Sequence, residues 1–204
     1  MSNHQSYTDN ELMQGILEKD SRAFSELYDR YSGMMVNYFY KMLWQDKEKA
    51  QDFMQDLFAK IIEKPALFNV HRNFKTWLFS VANNMCKNEY RKQSIRHNTS
   101  YDMEEGVQIK DTSITAIERL QDSQFGEKLK AELDLLDEKQ KSAFVMRYFQ
   151  ELSIKEIAET LNISEGTVKS RLFYTLKKLT VSLKEFAPQL AKMILVLFSL
   201  TTEL

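Results

Sequence analysis

Apolar residues recur at spacings of three and four along most of this chain, the pattern of helices that bury one face. In the first half a capping box of Thr8 and Glu11 opens the first helix, and Pro65 ends the third. The predicted helices cover residues 12–17, residues 21–42, residues 47–62 and a fourth stretch after a loop at residues 69–73. The predicted core residues of this fourth helix are Trp77, Leu78, Val81, Ala82 and Met85. The first half is therefore predicted to be a helical bundle.

The second half carries the clearest local signal, two short helices joined by a tight turn at residues 152–172. Ser153 and Glu156 form a capping box for the first of these helices, and Ser164 caps the second. Asn162 lies where the chain must turn, and asparagine tolerates a left-handed conformation. The apolar stripe of the second helix consists of Val168, Leu172, Leu176, Leu179 and Leu183. This pattern predicts a helix-turn-helix, with an ordinary helical hairpin as the alternative for this segment alone.

Between the two halves the periodicity disappears, and the chain becomes polar and acidic. The predicted organisation is a domain at residues 8–95, a flexible acidic linker at residues 96–116, a domain at residues 117–186 and a tail at residues 187–204. The tail contains eight consecutive mostly apolar residues from Met193, too few for a membrane span of about 20 residues. We expect residues 189–200 of the tail to form a helix that packs against one of the chain's own domains.

Composition narrows the fold and the chemistry. Five glycines and two prolines among 204 residues favour helices over a turn-rich sheet protein. The fold class predicted is all-α, with two small helical domains joined by the linker. Cys86 is the only cysteine, and His4, His71 and His97 are scattered, so neither a disulfide nor a zinc site is expected. No catalytic constellation, metal or cofactor is predicted, and the polar N-terminus favours a cytoplasmic protein.

Charge is unevenly distributed, although the formal net charge is only −1. Residues 83–97 and residues 164–185 are rich in lysine and arginine, whereas residues 98–124 are acidic. A helix that is apolar on one side and basic on the other suits a nucleic-acid backbone. Two basic helices separated by an acidic connector are therefore the charge pattern that a function must explain.

Three motifs, in order, resemble the extracytoplasmic-function group of the bacterial sigma-70 family, the promoter-specificity subunits of RNA polymerase. Residues 52–58 (DFMQDLF) resemble the segment that grips the largest polymerase subunit. Residues 74–84 (FKTWLFSVANN), followed by Asn88 and Arg91, resemble the helix that reads the −10 promoter element. Residues 165–172 (EGTVKSRL) resemble the −35 recognition helix. The resemblance covers residues 8–185, and the tail has no counterpart in it.

The resemblance implies a sigma factor without catalytic activity, which directs core RNA polymerase to promoters. Its implied partners are core polymerase, promoter DNA and an anti-sigma factor, with no small-molecule substrate. The implied polymerase contacts are Asp52, Gln55, Asp56 and Phe58. The implied −10 contacts are Asn84, Lys87, Asn88, Arg91 and Lys92. The implied −35 contacts are Thr167, Lys169, Ser170, Arg171, Phe173, Tyr174, Lys177 and Lys178.

Two other functions are open at this point. A stand-alone helix-turn-helix repressor or activator would explain residues 137–185, but it would leave the motifs at residues 52–58 and 84–91 without a purpose. A helical adaptor that sequesters another regulator would not depend on DNA. A sigma factor should copurify with core polymerase and bind promoter DNA poorly alone, whereas a repressor should bind duplex DNA without polymerase.

Overall fold

The computed structural model describes residues 6–97 and 124–199 of the chain, and the contacts divide it into two units at residues 103 and 104. Within the described ranges every regular element is helical, which confirms the predicted all-α fold. The predicted linker lies outside the described residues except for residues 96 and 97, which belong to a helix. No helix of the described part is long and apolar enough to cross a membrane.

The first unit consists of helices that begin and end close to the predicted limits. They are α1 (Asp9–Leu17), α2 (Ser21–Met42), α3 (Lys47–Glu63) and α4 (Phe74–His97), with a 3₁₀ helix (Pro65–Leu67) after α3. Thr8 and Glu11 form the predicted capping box, while Asp20 caps α2 and Asp46 caps α3. The core is aromatic, and its fully buried rings include Tyr38, Phe39, Phe74 and Phe79.

The buried face of α4 is rotated from the predicted one. Leu78 and Ala82 are buried as expected, but Trp77, Val81 and Met85 are only half-buried. The other buried positions of α4 are Phe74, Thr76, Phe79, Asn83, Cys86 and Glu89, of which Cys86 is also expected in the core from its place in the helical pattern. Buried Asn83 accepts a hydrogen bond from the hydroxyl of Tyr38 at 3.2 Å, so its polarity is satisfied. A hydropathy pattern assigns asparagine to solvent, so the sequence predicted a buried face centred on the wrong side of α4.

The turn between α2 and α3 has an unusual backbone. Trp44 and Gln45 both adopt left-handed conformations, with φ of 54° and 60°. The N–H of Gln45 donates to the carbonyl of Tyr40 at 2.9 Å, which satisfies one of the last carbonyls of α2. A bulky residue pays a steric penalty in this conformation, so surrounding contacts must hold Trp44 in place.

The second unit contains the predicted helix-turn-helix. Its helices are α5 (Gln124–Asp134), α6 (Glu138–Tyr148), α7 (Ile154–Leu161), α8 (Glu165–Ser182) and α9 (Ala187–Ser199), with a 3₁₀ helix (Lys184–Phe186) before α9. Ser153 and Glu156 form the capping box of α7, and Asn162 ends that helix in a left-handed conformation with φ of 52°. Ser164 caps α8. The structure therefore confirms the caps and the turn that the sequence predicted.

The interior face of α8 differs from the predicted stripe at two positions. Val168, Leu172 and Leu179 are buried, but Leu176 is only half-buried. Thr175 is fully buried instead, and its hydroxyl donates to the carbonyl of Arg171 at 2.8 Å. This bond within the helix lets a polar residue occupy the core.

The tail forms the predicted helix over its described part, α9. Leu190 and Met193 are each 3% exposed, whereas Leu195 is 66% exposed. Leu200, which the prediction included in the helix, lies outside the described residues. One side of the helix is therefore buried and at least one apolar side chain faces solvent.

Candidate interaction surfaces

An acidic face runs along the outside of α3. Asp52, Gln55 and Asp56 are exposed within one turn of each other, and Met54 and Leu57 on the other side of the helix are buried. The buried side fixes the rotation of α3, so the two carboxylates and the amide point outward together. We name Asp52, Gln55 and Asp56 the acidic face of α3. Such a surface complements a basic helix of a partner.

Phe58 does not belong to this face, which corrects the prediction that it contacts polymerase. The ring is 2% exposed and packs in the core against Tyr28, at a centroid distance of 4.9 Å, and against Phe24, at 6.1 Å. Phe58 follows Leu57 and lies one helical turn after Met54 on the inner side of α3, so its ring is not part of the exposed surface. Phe53 is half-buried, and its ring packs on that of Phe39 at a centroid distance of 5.5 Å.

A polar and basic face runs along the outside of α4. Asn84, Asn88 and Arg91 are exposed and lie on one side of the helix, opposite buried Ala82 and Cys86. Lys87 is half-exposed and Lys92 is exposed beside them. The amides can hydrogen-bond to base edges, and the cations can bind phosphates. All five predicted −10 residues are thus accessible on one helix.

The outer face of α8 combines hydroxyl, aromatic and basic side chains. Phe173 is 63% exposed and Tyr174 is 60% exposed, with their ring centroids 5.4 Å apart. Seven of the predicted −35 residues are exposed on this helix: Thr167, Lys169, Ser170, Phe173, Tyr174, Lys177 and Lys178. Arg171 is half-exposed. Exposed rings of this size are costly in water and are typical of a surface that a ligand covers.

The comparisons with known proteins match both units. Residues 27–95 match the family model for sigma-70 region 2, and residues 126–179 match the model for sigma-70 region 4. The chain is 31% identical over 154 residues to the RNA polymerase sigma factor YlaC of Bacillus subtilis, an alignment that covers 76% of this chain and 88% of YlaC. The chain belongs to the sigma-70 family.

Further relatives place this sigma factor in the extracytoplasmic-function (ECF) group. The chain is 28% identical over 159 residues to the ECF RNA polymerase sigma factor SigW of Bacillus subtilis, covering 75% of this chain and 84% of SigW. It is 27% identical over 175 residues to the ECF sigma factor SigL of Mycobacterium tuberculosis, covering 84% of this chain and 94% of SigL. The chain is thus a promoter-directing sigma factor and not an enzyme.

Solved structures share the fold of this sigma factor. CnrH in complex with the cytosolic domain of CnrY aligns with a TM-score of 0.64 at 21% identity, covering 87% of this chain and 97% of that one. The sigma factor RpoE from Bartonella quintana, in complex with the anti-sigma factor NepR, aligns with a TM-score of 0.61 at 24% identity, covering 79% of this chain and 96% of that one.

Lys178 of the sigma factor has an intramolecular role that sequence reasoning missed. Its Nζ donates to the carbonyl of Leu135 at 3.2 Å, which joins α8 to the turn between α5 and α6. The side chain is still exposed, so its remaining donors can reach a phosphate. Only the fold could reveal this bond, because 43 residues separate the two positions.

The loop before α4 is held by a residue that the sequence did not single out. The side-chain amide of Asn10, on α1, donates to the carbonyl of Val70 at 2.6 Å and to that of Arg72 at 3.2 Å. Asn73 then caps α4 by accepting from the N–H of Thr76 at 3.1 Å. The loop at residues 69–73 is therefore fixed at both ends beside the start of α4.

The three surfaces contain no metal-binding site within the described ranges, where no cluster of histidine, cysteine and carboxylate side chains could hold an ion.

A network of polar side chains lies away from these surfaces, at the junction of α1 and α2. Burial and a hydrogen bond to Asp9 raise the pKa of the Tyr31 hydroxyl. Arg30 also pairs with Asp9 at 2.9 Å. This network joins two helices and does not reach the three surfaces.

Proposed function

We propose that this sigma factor divides its work among three helices. The acidic face of α3 docks on core RNA polymerase, α4 reads the −10 element and α8 reads the −35 element. One observation carries the proposal: α3, α4 and α8 each have a buried apolar side and an exposed side, and the three exposed sides differ in their chemistry. The buried side of each helix sets which residues face outward. The two DNA-facing helices belong to different units, so each can engage its own promoter element.

At the −10 element, we assign base recognition to the amides of Asn84 and Asn88 and phosphate binding to the neighbouring cations. Opening a duplex requires that unstacked bases find new partners, because each lost stacking contact is costly. The loop at residues 69–73 lies at the start of α4 and supplies the wall of a pocket for an extruded base. The two hydrogen bonds of Asn10 support this role by holding the loop before DNA arrives.

At the −35 element, α8 enters the major groove with its outer face. We assign base or thymine-methyl contacts to Lys169, Ser170, Phe173 and Tyr174. We assign phosphate contacts to Thr167, Arg171, Lys177 and Lys178. Apolar rings suit thymine methyl groups, and cations flanking them hold the helix in register on the backbone.

Regulation by an anti-sigma factor is part of the proposal. Two proteins with this fold were solved with a partner bound: the sigma factor RpoE with the anti-sigma factor NepR, and CnrH with the cytosolic domain of CnrY. We propose that an anti-sigma factor restrains this protein by covering its polymerase- or DNA-facing surfaces. Since core polymerase and chromosomal DNA are in the bacterial cytoplasm, we also propose a cytoplasmic location.

The division of labour is tested by one variant for each surface in three assays. Asp52→Arg should reduce affinity for core polymerase, Asn88→Ala should slow promoter opening detected by permanganate reactivity, and Phe173→Ala should weaken protection of the −35 element in footprints. Asn88→Ala and Phe173→Ala should bind core polymerase like the parent, and Asn88→Ala should protect the −35 element like the parent. Both promoter assays are run at saturating core polymerase, because opening and −35 protection each require docking.

The control is Asp29→Arg, which reverses an exposed charge on α2 outside the three surfaces. It should behave like the parent in all three assays. If Asn88→Ala and Phe173→Ala lose discrimination at both promoter elements equally, the assignment of one element to each helix is wrong.

A further inference from the structure

The polymerase-facing and DNA-facing helices of the first unit meet at a cluster of four side chains that the proposed function does not use. We name this cluster the α4 anchor; its members are Trp44, Lys49, Glu89 and Tyr90. Trp44 lies in the turn before α3, Lys49 in the first turns of α3, and the other two side by side on α4.

The anchor is a close and partly buried set of contacts. Lys49 Nζ lies 2.7 Å from Glu89 Oε1, with side-chain exposures of 29% and 11%. The same ammonium lies 5.3 Å from the centre of the Trp44 ring, and that ring packs on Tyr90 at a centroid distance of 4.8 Å. The Tyr90 hydroxyl donates to the carbonyl of Met42 at the end of α2. One lysine thus meets both a carboxylate and an aromatic face, and each attraction is strengthened by partial burial.

The position of the anchor along α4 is informative. Glu89 is 9% exposed and Tyr90 is half-buried, whereas every residue from 91 to 95 is exposed. Glu89 is therefore the last buried side chain of α4 among those whose burial the structure describes. Asn88 and Arg91 flank it in sequence and face outward. Whatever fixes the anchor consequently fixes the direction in which this DNA-facing stretch points.

The position of the anchor on α3 is equally informative. Lys49 precedes Asp52 by three residues and Asp56 by seven, so at about 100° per residue it lies at one end of the acidic face. A partner that grips the acidic face would hold the helix to which Lys49 belongs. The ion pair with Glu89 would transmit that placement to α4 through one rigid contact.

The backbone of Trp44 provides independent support. A left-handed tryptophan followed by a left-handed glutamine is a strained turn, and such strain persists only where the surrounding contacts over-determine it. The Trp44 ring contacts Tyr90 and Lys49, and these contacts hold the strained turn in place. The chain keeps a costly conformation that places the ring behind α4.

We propose that the α4 anchor fixes the position of the −10-reading face of α4 relative to the acidic face of α3. Docking of the acidic face on polymerase then also places α4 correctly for promoter opening. The proposal rests on the proposed roles of α3 and α4. Its members are positioning residues, since they face away from the DNA-binding side. The α4 face that they position binds the melted promoter strand once polymerase has docked.

The test uses the full-length sigma factor with core polymerase and compares Glu89→Gln, Lys49→Gln and the double variant. Each single change removes the ion pair while nearly preserving side-chain size. We expect affinity for core polymerase and protection of the −35 element to remain parental, while the rate of promoter opening falls by about tenfold, because small misplacements of a reacting group are costly. The double variant should lose no more than Lys49→Gln alone, since Glu89→Gln removes only the shared ion pair, whereas Lys49→Gln removes that pair and the cation over the Trp44 ring.

Arg30→Gln is the matched control for a merely structural effect. It removes ion pairs of similar length, at 2.9 Å to Asp9 on α1 and to Glu26 on α2, and none of these three residues is a member of the anchor. Opening should be parental for this variant at a temperature below the unfolding transition of every variant. If Arg30→Gln slows opening as much as Glu89→Gln, loss of stability explains the defect and the inference is wrong.

Asn88→Ala, measured in the same assay, separates this inference from the proposed function. Slow opening by Asn88→Ala together with parental opening by Glu89→Gln would overturn the positioning role and leave the assignment of α4 intact. Parental opening by Asn88→Ala would overturn the assignment of α4, and the positioning role would fall with it.

Discussion

Substitutions of Asp56 and Phe58 on α3 should have different effects. A change at Asp56 should weaken polymerase binding, whereas a change at Phe58 should lower the stability of the fold. Asp56 is exposed and Phe58 is 2% exposed, although only one residue separates them. Asp56→Arg changes an exposed helix position, so we expect the free energy of unfolding to change by no more than about 0.5 kcal/mol. Phe58→Ala removes a ring that packs against Tyr28 and Phe24. It should cost about 3–5 kcal/mol.

These energies convert into measurable shifts. For a unit of this size each kcal/mol lowers Tm by about 4–8 °C, so Phe58→Ala should lower the Tm of the first unit by at least about 12 °C. Asp56→Arg should leave Tm nearly unchanged. If Asp56 meets a basic partner, the reversed charge becomes repulsive and should cost at least about 2 kcal/mol of binding energy, or about thirtyfold in Kd for core polymerase.

The assay combines thermal melting by circular dichroism with titration of labelled sigma factor by core polymerase, below the Tm of every variant. Asp29→Arg, an equal charge change on α2, is the control and should match the parent in both measurements. Parental affinity of Asp56→Arg would refute the acidic-face assignment. A parental Tm for Phe58→Ala would refute the placement of that ring in the core.

Three further predictions concern the second unit. Lys178→Ala should weaken duplex binding about equally for all sequences and lower the slope of log affinity against log salt by about one; a loss confined to one sequence would contradict the phosphate assignment. Deleting the residues after Ala187 should lower Tm, because it exposes the surface that Leu190 and Met193 cover, worth about 1.5–3 kcal/mol for each buried side chain; an unchanged Tm would show that this burial does not stabilise the fold. Asn162→Val should destabilise by about 1–2 kcal/mol in urea unfolding while Asn162→Gly does not, because φ is 52° at this position; equal effects would contradict the turn geometry.

Features that depend on local sequence were predictable. The capping boxes at Thr8 and Ser153 and the left-handed turn at Asn162 each depend on residues within three or four positions, and the structure contains all three. The outer face of α8 followed from the same reasoning, because a helix with a strong apolar stripe has only one possible outside.

Features that depend on contacts between distant segments were not predictable. The periodicity of α3 places Phe58 on the apolar face of that helix, whereas the resemblance assigns it to polymerase contact, and the tertiary contacts of its ring with Tyr28 and Phe24 decide between the two. The bond from Lys178 to Leu135 and the anchor between Lys49 and Glu89 are likewise tertiary. Hydrophobic periodicity records which side of a helix is apolar, but not which polar side chains find partners inside.

The central claim, that this chain gives core RNA polymerase its promoter specificity, is tested most directly by run-off transcription on genomic fragments with purified components. Core polymerase with the sigma factor should produce transcripts of defined length from a subset of fragments, and neither component alone should produce them. Selective binding of duplex promoter DNA by the chain alone, with no defined transcripts when core polymerase is added, would contradict the account and identify a stand-alone DNA-binding regulator instead.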